Sequence, residues 1–236
     1  MKIQVLSDLH LEFHRDGGDW FLDKLPVAAD VMVLAGDICP ASSIERVFAR
    51  FCSKYRHVIY VHGNHEFYGS DRSSVIERTM AAKRANTNMH WLDSSYVEID
   101  GQRFVGTPLW FRRSKAPTWP MADFTQIVDY EQWVYSENAR ATEYLFEVVT
   151  SSDVVITHHL PAPICVAPQF KNSPLNAFFV CDVTPIIRRR APKVWIYGHT
   201  HCPGNFVLER TRMVCNPMGY PDENIPAFRE DLVVEV

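Results

Sequence analysis

Short apolar runs divide the chain into segments that each have the length of a buried strand. The first three runs are residues 3–6, 31–35 and 58–61, and each stops at a glycine or a polar residue. Between and after them, residues 42–55 and 71–86 have the spacing of helices. Strands that alternate with helices in this way are typical of a layered α/β fold.

The second half of the chain contains more closely spaced strands. The strands predicted at 96–99 and 103–106 are joined by Asp100-Gly101, a dipeptide typical of hairpin turns. A helix is predicted at 182–190, and strands are predicted at residues 91–92, 96–99, 103–106, 154–156, 194–197, 206–208, 211–215 and, closing a sheet edge, 232–236.

Residues 107–152 interrupt this strand pattern with an insert rich in tryptophan, tyrosine and phenylalanine. Its second half, about residues 127–149, is predicted to be helical. Two interpretations remain open for the insert. It is either a lid that stacks on a base or another aromatic leaving group, or an added helix that packs on the domain.

Length and composition narrow the class of protein. With 236 residues and 47% hydrophobic content, the chain suits a single domain spanning residues 1–236. A net charge of −4 predicts no polyanion-binding surface, and no apolar stretch approaches the roughly 20 residues that span a bilayer. Residues 1–6 enter a strand pattern at once, and the six cysteines lack CxxC spacing. We therefore expect a cytoplasmic protein with free thiols and no membrane partner.

Five of the predicted strands end in residue types that commonly bind metal ions. In open α/β sheets ligands bind at the carboxyl ends of strands, and residues two apart in an extended segment point to the same side. A lone histidine is more often structural than a ligand, but five such strand ends, mostly beside a glycine, favour a metal site. The residues are Asp8 and His10, Asp37, Asn64 and His65, His158, and His199 and His201.

The mixture of donors predicts the kind and number of ions. Imidazoles combined with oxygen donors, without a clear thiolate, suit borderline divalent ions. Manganese is favoured, with iron or zinc as alternatives. The donors are too many for one octahedral ion that must also bind water, so two ions sharing Asp37 are predicted.

In this set of residues the sequence resembles the calcineurin-like metallophosphoesterase family, whose signature is complete and in order from residue 8 to residue 201. The resemblance implies an α/β fold of two mixed β-sheets packed as a sandwich and flanked by helices. Within the family, the chain is similar to small bacterial phosphoesterases, which are related to class III cyclic-nucleotide phosphodiesterases. The signature stands here as Asp8-x-His10, Gly36-Asp37, Gly63-Asn64-His65-Glu66, His158 and Gly198-His199-Thr200-His201.

The resemblance also implies roles for these residues. The catalytic residues would be Asp37, Asn64 and His65, with His65 touching no metal and acting near the substrate. Glu66 is expected to hold its loop by hydrogen bonds. Substrate contacts are predicted for His159, Arg112 and Asn176, although His159 is equally well explained as a structural residue. The first ion would be held by Asp8, His10, Asp37 and His201, and the second by Asp37, Asn64, His158 and His199.

The predicted function is hydrolysis of a small phosphodiester or phosphomonoester. Two ions roughly 3.5–4 Å apart lower the pKa of a bridging water and clamp the attacking and leaving oxygens. We therefore expect a metal-bridging hydroxide to attack phosphorus and His65 to protonate the leaving group. A nuclease acting on single-stranded ends is disfavoured by the net charge, and nucleic acid is not an expected partner. A catalytically silent metal-binding module is disfavoured by the complete ligand set. The sequence predicts neither the substrate nor the oligomeric state.

Overall fold

Eleven β-strands form two sheets in the computed structural model, which describes residues 1–236. In chain order the strands are β1 (Lys2–Leu6), β2 (Val31–Ala35), β3 (His57–Val61), β4 (Met89–Trp91), β5 (Ser95–Ile99), β6 (Gln102–Gly106), β7 (Val154–Ile156), β8 (Val194–Ile196), β9 (Gly204–Leu208), β10 (Thr211–Cys215) and β11 (Val233–Glu235). Each predicted strand is present within a few residues of its expected position.

Both sheets are mixed, as the family resemblance implies. The first has the order β11-β1-β2-β3-β4, in which β1 to β4 are parallel and β11 is antiparallel to β1. The second has the order β5-β6-β7-β8-β10-β9, with parallel strands at its centre and an antiparallel strand at each edge. The last strand closes the edge of the first sheet, as predicted, with Ile3 opposite Val234.

Helices cover the outer faces of the two sheets. They are α1 (Asp19–Lys24), α2 (Ile44–Lys54), α3 (Arg72–Ala85), α4 (Asp123–Gln126), α5 (Tyr130–Val148), α6 (Asn176–Phe179) and α7 (Thr184–Arg190). Short 3-10 turns lie at Leu11–Phe13, Ala41–Ser43, His65–Phe67, Pro163–Cys165 and Pro168–Phe170. None of the helices combines the length and the apolar composition that crossing a membrane requires.

Alternate residues of the central strands serve different cores, because successive side chains of a strand point to opposite faces. Val31 and Val33 of β2 pack between the sheets in one cluster with Ile156 and Ile196. Met32 and Leu34 alternate with these valines along β2 and point to the other face of the sheet. There they pack in another cluster with Phe48 and Phe51 of α2. A fully buried side chain of this kind contributes about 1.5–3 kcal/mol. Coverage on both faces explains why these strands are continuous apolar runs.

The insert is anchored to the domain over most of its length. Helix α5 confirms the helix predicted at about 127–149, and its Ala141 and Leu145 pack with Val155 and Trp195 of the second sheet. Asn138 of α5 also donates a hydrogen bond to the Leu109 carbonyl oxygen at 2.8 Å. For α5, the interpretation as an added packed helix is therefore confirmed.

Candidate dinuclear metal centre

Side chains from the five strand ends converge at one edge of the sandwich. Three groups have their donor atoms within 4.8 Å of one another: Asp8 with His10 and His201, His10 with Asp37 and His65, and Asp37 with His158 and His199. Asn64 joins them, because its Oδ1 lies 3.1 Å from His158 Nε2. The structure thus brings all seven predicted ligands to one place.

The backbone at these strand ends is bent in an uncommon way. Five of the seven predicted ligands have left-handed backbone, with φ between 45° and 69°: Asp8, His10, Asp37, His199 and His201. For a residue other than glycine this conformation costs on the order of 1–3 kcal/mol, and it is found where the surrounding structure fixes it, often at functional sites. Asp8 and His10 therefore converge through a turn, and the extended segment expected there is not formed.

At two glycines of the signature, other atoms lie too close to the backbone to leave room for a side chain. Gly36 has φ of 85°, and a Cβ atom there would overlap the His158 imidazole. A Cβ atom on Gly63 would overlap Asp37 Oδ1. These two positions admit no side chain without displacing a predicted ligand.

The first group of donors is oriented by carboxylates that are not in the signature. His201 Nδ1 lies 2.6 Å from Glu223 Oε2, so the Nδ1 proton is donated to Glu223 and Nε2 keeps its lone pair. That Nε2 lies 2.9 Å from His10 Nε2 and 3.7 Å from Asp8 Oδ1. A proton donated from a ligand imidazole to a carboxylate is a common arrangement around protein-bound metals.

The second group meets the first at Asp37. Asp37 Oδ2 lies 3.3 Å from His158 Nε2 and 3.8 Å from His10 Nε2, so one carboxylate stands between the two sets of donors. His158 donates its Nδ1 proton to the Ala35 carbonyl oxygen at 2.8 Å, which again leaves Nε2 as the free donor atom.

Two buried polar atoms indicate that these donors fit a bound cation. Asp8 Oδ2 and His199 Nε2 are buried and have no hydrogen-bond partner within the protein. A buried polar atom without a partner costs about 1–3 kcal/mol. A cation bound by the converging nitrogens and oxygens would remove that cost, and this donor set suits a borderline divalent ion.

The pKa shifts of the histidines at the site also favour a bound cation. Burial disfavours the charged imidazole of His158, but the Asp37 carboxylate outweighs burial and raises the pKa of His158 to about 10. Burial and the neighbouring imidazoles of His159 and His158 hold the pKa of His199 well below its ordinary value, which keeps that ring neutral. The carboxylates therefore favour positive charge at the centre, and His199 has a lone pair available.

Asn64 is held by a residue of the insert. Its Nδ2 donates to Asp123 Oδ1 at 2.9 Å, which turns Oδ1 of the amide toward His158. Asp123 is 1% exposed and accepts a second hydrogen bond from the Tyr68 hydroxyl at 2.6 Å. Sequence reasoning missed Asp123, since it lies 59 residues from Asn64 and follows no apolar strand.

Both ring nitrogens of His65 already have partners in the protein. Nδ1 lies 3.0 Å from Glu12 Oε1, and Nε2 lies 3.1 Å from the Tyr220 hydroxyl. The ring stacks on Tyr68 at 4.1 Å. Although His65 is close enough to His10 and Asp37 to be a ligand, these contacts favour a role without metal. Burial lowers its pKa, but Asp37 and Glu12 outweigh burial and raise the pKa above its ordinary value.

Glu12 was also missed by sequence reasoning, although a signal for it exists. It follows His10 by two residues, which continues the spacing of Asp8 and His10. Its Oε1 faces both His65 and, at 3.4 Å, His10 Nδ1. The carboxylate thus connects a predicted ligand to the predicted acid.

Glu66 occupies the position expected of a loop-holding carboxylate. It is fully buried and accepts hydrogen bonds from the backbone N–H groups of Asp37 at 3.1 Å, Ile38 at 2.8 Å and Gly63 at 2.7 Å. Glu66 therefore ties the turn after β2 to the turn after β3, and so fixes Asp37 relative to Asn64.

A cleft of about 490 Å³ opens over the metal centre. It is lined by Asp37, Asn64, His65, His199, Thr200 and His201 from the signature, by Tyr68, and by residues within 120–123, 169–179 and 220–223. This volume lies in the range of small-molecule sites. The part of the insert that precedes α5 therefore forms one wall of the cleft.

The three predicted substrate contacts have different positions. His159 is fully buried, with its ring 4.3 Å from that of His199, so it packs behind a predicted ligand and does not reach the cleft. Arg112 is exposed on the insert and does not line the cleft. Asn176 lies at a smaller apolar pocket beside the cleft, where its Nδ2 donates to the Phe170 carbonyl oxygen at 2.8 Å. His159 thus has the environment of a structural residue, which was the other explanation offered for it, and Arg112 lies outside the set of residues that line the cleft.

Comparisons with known proteins agree with this geometry. A family model described as calcineurin-like phosphoesterase matches residues 1–203 of the chain. The uncharacterized protein L509 of Acanthamoeba polyphaga mimivirus is 25% identical over 263 residues, covering 94% of this chain and 92% of that protein.

Solved structures with the same fold include two named phosphoesterases. Phosphopantetheinyl hydrolase (PptH) from Mycobacterium tuberculosis matches with a TM-score of 0.67 and 17% identity over 93% of this chain and 90% of that chain. A dimetal phosphatase from Danio rerio matches with a TM-score of 0.56 and 16% identity over 93% of this chain and 88% of that chain. At these identities the likeness establishes the fold.

Proposed function

The chain belongs to the calcineurin-like phosphoesterase family and is a metal-dependent phosphoric ester hydrolase, and we propose that it hydrolyses a small phosphodiester or phosphomonoester at a dinuclear centre. The observation that carries the proposal is the position of Asp37. Its Oδ2 faces His158 Nε2 at 3.3 Å on one side and His10 Nε2 at 3.8 Å on the other. Asp37 is therefore suited to be shared by two ions.

The residues divide into two sets of ligands around Asp37. One ion would be held by Asp8, His10, Asp37 and His201, and the other by Asp37, Asn64, His158 and His199. When bound, two such ions supply an activated water nucleophile at neutral pH and neutralise charge on the phosphoryl oxygens. Manganese is the ion we favour for this set of nitrogen and oxygen donors, with iron or zinc as alternatives.

His65 is the proposed acid that protonates the leaving oxygen. Glu12 accepts the proton of Nδ1 at 3.0 Å and thereby fixes the ring, so that Nε2 is the atom available for proton transfer. Nε2 contacts the Tyr220 hydroxyl at 3.1 Å, and both residues line the cleft. In the imidazolium form, Nε2–H donates to Tyr220 or to a substrate oxygen that replaces it.

Asn64 and Glu66 support this chemistry by holding positions. The amide oxygen of Asn64 is aimed at the centre because Asp123 accepts a hydrogen bond from its nitrogen. Glu66 holds the backbone of Asp37, Ile38 and Gly63 through three hydrogen bonds in all. Binding geometry fixed in this way needs no rearrangement during reaction, which favours catalysis.

The test compares bis(p-nitrophenyl) phosphate with p-nitrophenyl phosphate on protein reconstituted with Mn²⁺. We expect metal-dependent release of p-nitrophenol that disappears when the ions are chelated and is absent from the Asp37→Ala variant. Metal content measured on the same samples should be two ions per chain in the parent protein. A chain that binds two ions and cleaves neither ester would favour the silent interaction module instead.

A further inference from the structure

The cleft above the metal centre carries acidic groups but no permanent cation. Its lining includes the carboxylates of Asp37, Asp123 and Glu223, and neither lysine nor arginine lies among its seventeen residues. Sites that bind additional phosphate groups commonly use arginine or lysine for them. A charged group of the substrate outside the phosphoryl group would find no lysine or arginine in this lining, so the lining disfavours substrates with a charge beyond that of one phosphodiester.

A small apolar pocket adjoins this cleft. It has a volume of about 130 Å³, and six of its nine lining residues are hydrophobic. The two cavities are adjacent, because Phe170, Leu175, Phe179 and Thr200 line both of them. In another protein, an apolar cavity of roughly 150 Å³ binds benzene, so this pocket has the size for one aromatic ring or a short branched chain.

The pocket wall is held in place by hydrogen bonds within its own loop. Asn176 Nδ2 donates to the Phe170 carbonyl oxygen at 2.8 Å and to that of Lys171 at 3.3 Å. Phe170 stands at the pocket with 55% of its surface exposed, which leaves an aromatic face at the entrance. A preformed apolar pocket of this kind binds an apolar group with little ordering cost.

The pocket lies beside His199 and is not lined by the proposed acid His65. Phe179, which lines it, packs with its ring 4.3 Å from His199. His65 instead contacts Glu12, Tyr68 and Tyr220, and none of these lines the pocket. A leaving oxygen at His65 therefore leaves the pocket to the other ester group, which stays on phosphorus.

From the lining and the pocket together, we infer that the substrate is a phosphodiester with a single negative charge whose retained ester group is apolar and binds in the pocket of Phe170, Leu175 and Phe179. The inference rests on the proposed function and names its substrate class. Binding of one apolar group in such a pocket discriminates by roughly 10–200-fold against a substrate that lacks it.

The test uses diesters that share one leaving group. Methyl p-nitrophenyl phosphate, benzyl p-nitrophenyl phosphate and 4-carboxybenzyl p-nitrophenyl phosphate release the same phenol, and p-nitrophenyl phosphate supplies the dianionic monoester. With Mn²⁺-loaded enzyme, we expect kcat/KM for the benzyl diester to exceed that for the methyl diester by about tenfold or more. The carboxybenzyl diester and the monoester should both be poorer than the benzyl diester.

Variants locate the preference within the pocket. Leu175→Ala removes a wall shared by both cavities, and Ser173→Leu fills the pocket, so each should lower the benzyl-to-methyl ratio several-fold. Ile164→Ala is the matched control, since Ile164 is 61% exposed, lies on a neighbouring turn and does not line the pocket. Its ratio should equal that of the parent enzyme. Activity on the methyl diester reports on folding in every variant.

The possible outcomes distinguish a failure of this inference from a failure of the proposed function. Equal rates for methyl and benzyl diesters, or a faster monoester, would overturn the apolar diester while leaving a metal-dependent phosphoesterase. A benzyl preference that both pocket variants leave unchanged would also overturn the assigned pocket. No metal-dependent cleavage of any ester would refute the proposed function and this inference together.

Discussion

Two regions of the cleft are built on different physical principles. The metal edge consists of Asp8, His10, Asp37, Asn64, His158, His199 and His201, which follow strands of the two sheets. The cleft wall consists of residues 120–123, 169–179 and 220–223, which belong to loops and short helices. Six of the seven residues of the metal edge are buried, and five of the seven have left-handed backbone. The cleft wall is mixed in polarity and partly exposed.

The comparison shows that the cleft wall does more than surround the metal edge. Asp123 holds the amide of Asn64 at 2.9 Å, and Glu223 holds the imidazole of His201 at 2.6 Å. Each predicted ion therefore has one ligand oriented by a carboxylate of the wall. Changes in the wall should consequently affect metal binding as well as substrate choice.

The largest effect is expected from Asp37→Ala, which removes the carboxylate between the two halves of the metal edge. Both ions should be lost, and hydrolysis should fall by on the order of 10³-fold or more, because the ions supply several kcal/mol of transition-state stabilisation. Metal analysis by mass spectrometry alongside the ester assay measures both. Retention of two ions would contradict the shared position of Asp37.

A smaller loss of activity is expected from His65→Ala, which leaves the metal edge complete. A positioned general acid is worth about 10²–10⁴-fold in rate, so turnover should fall within that range. Metal content should stay at the parent level, since both ring nitrogens of His65 are bonded to Glu12 and Tyr220. If the variant also loses an ion, His65 is a ligand and the assigned role is wrong.

Asp123→Ala tests directly whether the cleft wall supports the metal edge. Loss of a carboxylate that orients a ligand costs about 10–100-fold in metal affinity or activity. We expect the loss in the affinity of one ion only, with partial recovery in Asp123→Asn, whose amide oxygen still accepts from Asn64. Titration of the metal-free protein with Mn²⁺ measures this.

The matched control for that experiment lies in the same insert. Asp129 is exposed, accepts a hydrogen bond from Gln132 Nε2 at 2.9 Å and does not line the cleft. Asp129→Ala should bind both ions like the parent protein. Equal metal affinities for the Asp123 and Asp129 variants would show that the wall does not hold the metal edge.

The smallest effect is expected from Asp71→Ala, which lies outside both regions. Asp71 caps α3 by accepting a hydrogen bond from the Ser74 N–H at 2.9 Å. Removing such a cap costs about 0.5–2 kcal/mol of stability, so the melting temperature should fall by roughly 2–4 °C per kcal/mol lost. Activity per folded molecule should not change. A large loss of activity would mean that α3 positions the metal edge.

Residues in short sequence motifs were predicted well, and residues brought in from distant segments were not. Each strand and its ligand are neighbours in the chain, so an apolar run followed by Asp or His reveals both at once. Asp123 and Glu223 lie 59 and 22 residues from the ligands they hold. No local pattern connects such pairs, because only the packing of the insert and the last loop brings them together.

His158 and His159 illustrate the same limit at adjacent positions. Both follow β7, and apart from the family signature, which includes only His158, the sequence offers no reason to separate their roles. In the structure, His158 Nε2 faces Asp37 at 3.3 Å, while the His159 ring lies behind His199 and its Nδ1 faces the Pro108 carbonyl oxygen at 3.3 Å. The turn after the strand therefore gives the two rings different hydrogen-bond partners.

By itself, the sequence predicted the strand and helix order, the two mixed sheets through the family signature, and the residues proposed as ligands at the metal edge. It could do so because hydrophobic period and strand-end chemistry are local properties of the chain. Only the tertiary structure decided the left-handed turns at the ligands, the carboxylates that orient them, and the apolar pocket beside His199. These features depend on contacts between segments far apart in sequence. The free-energy cost of bending the backbone or burying a polar group is offset only by contacts that form in the folded protein.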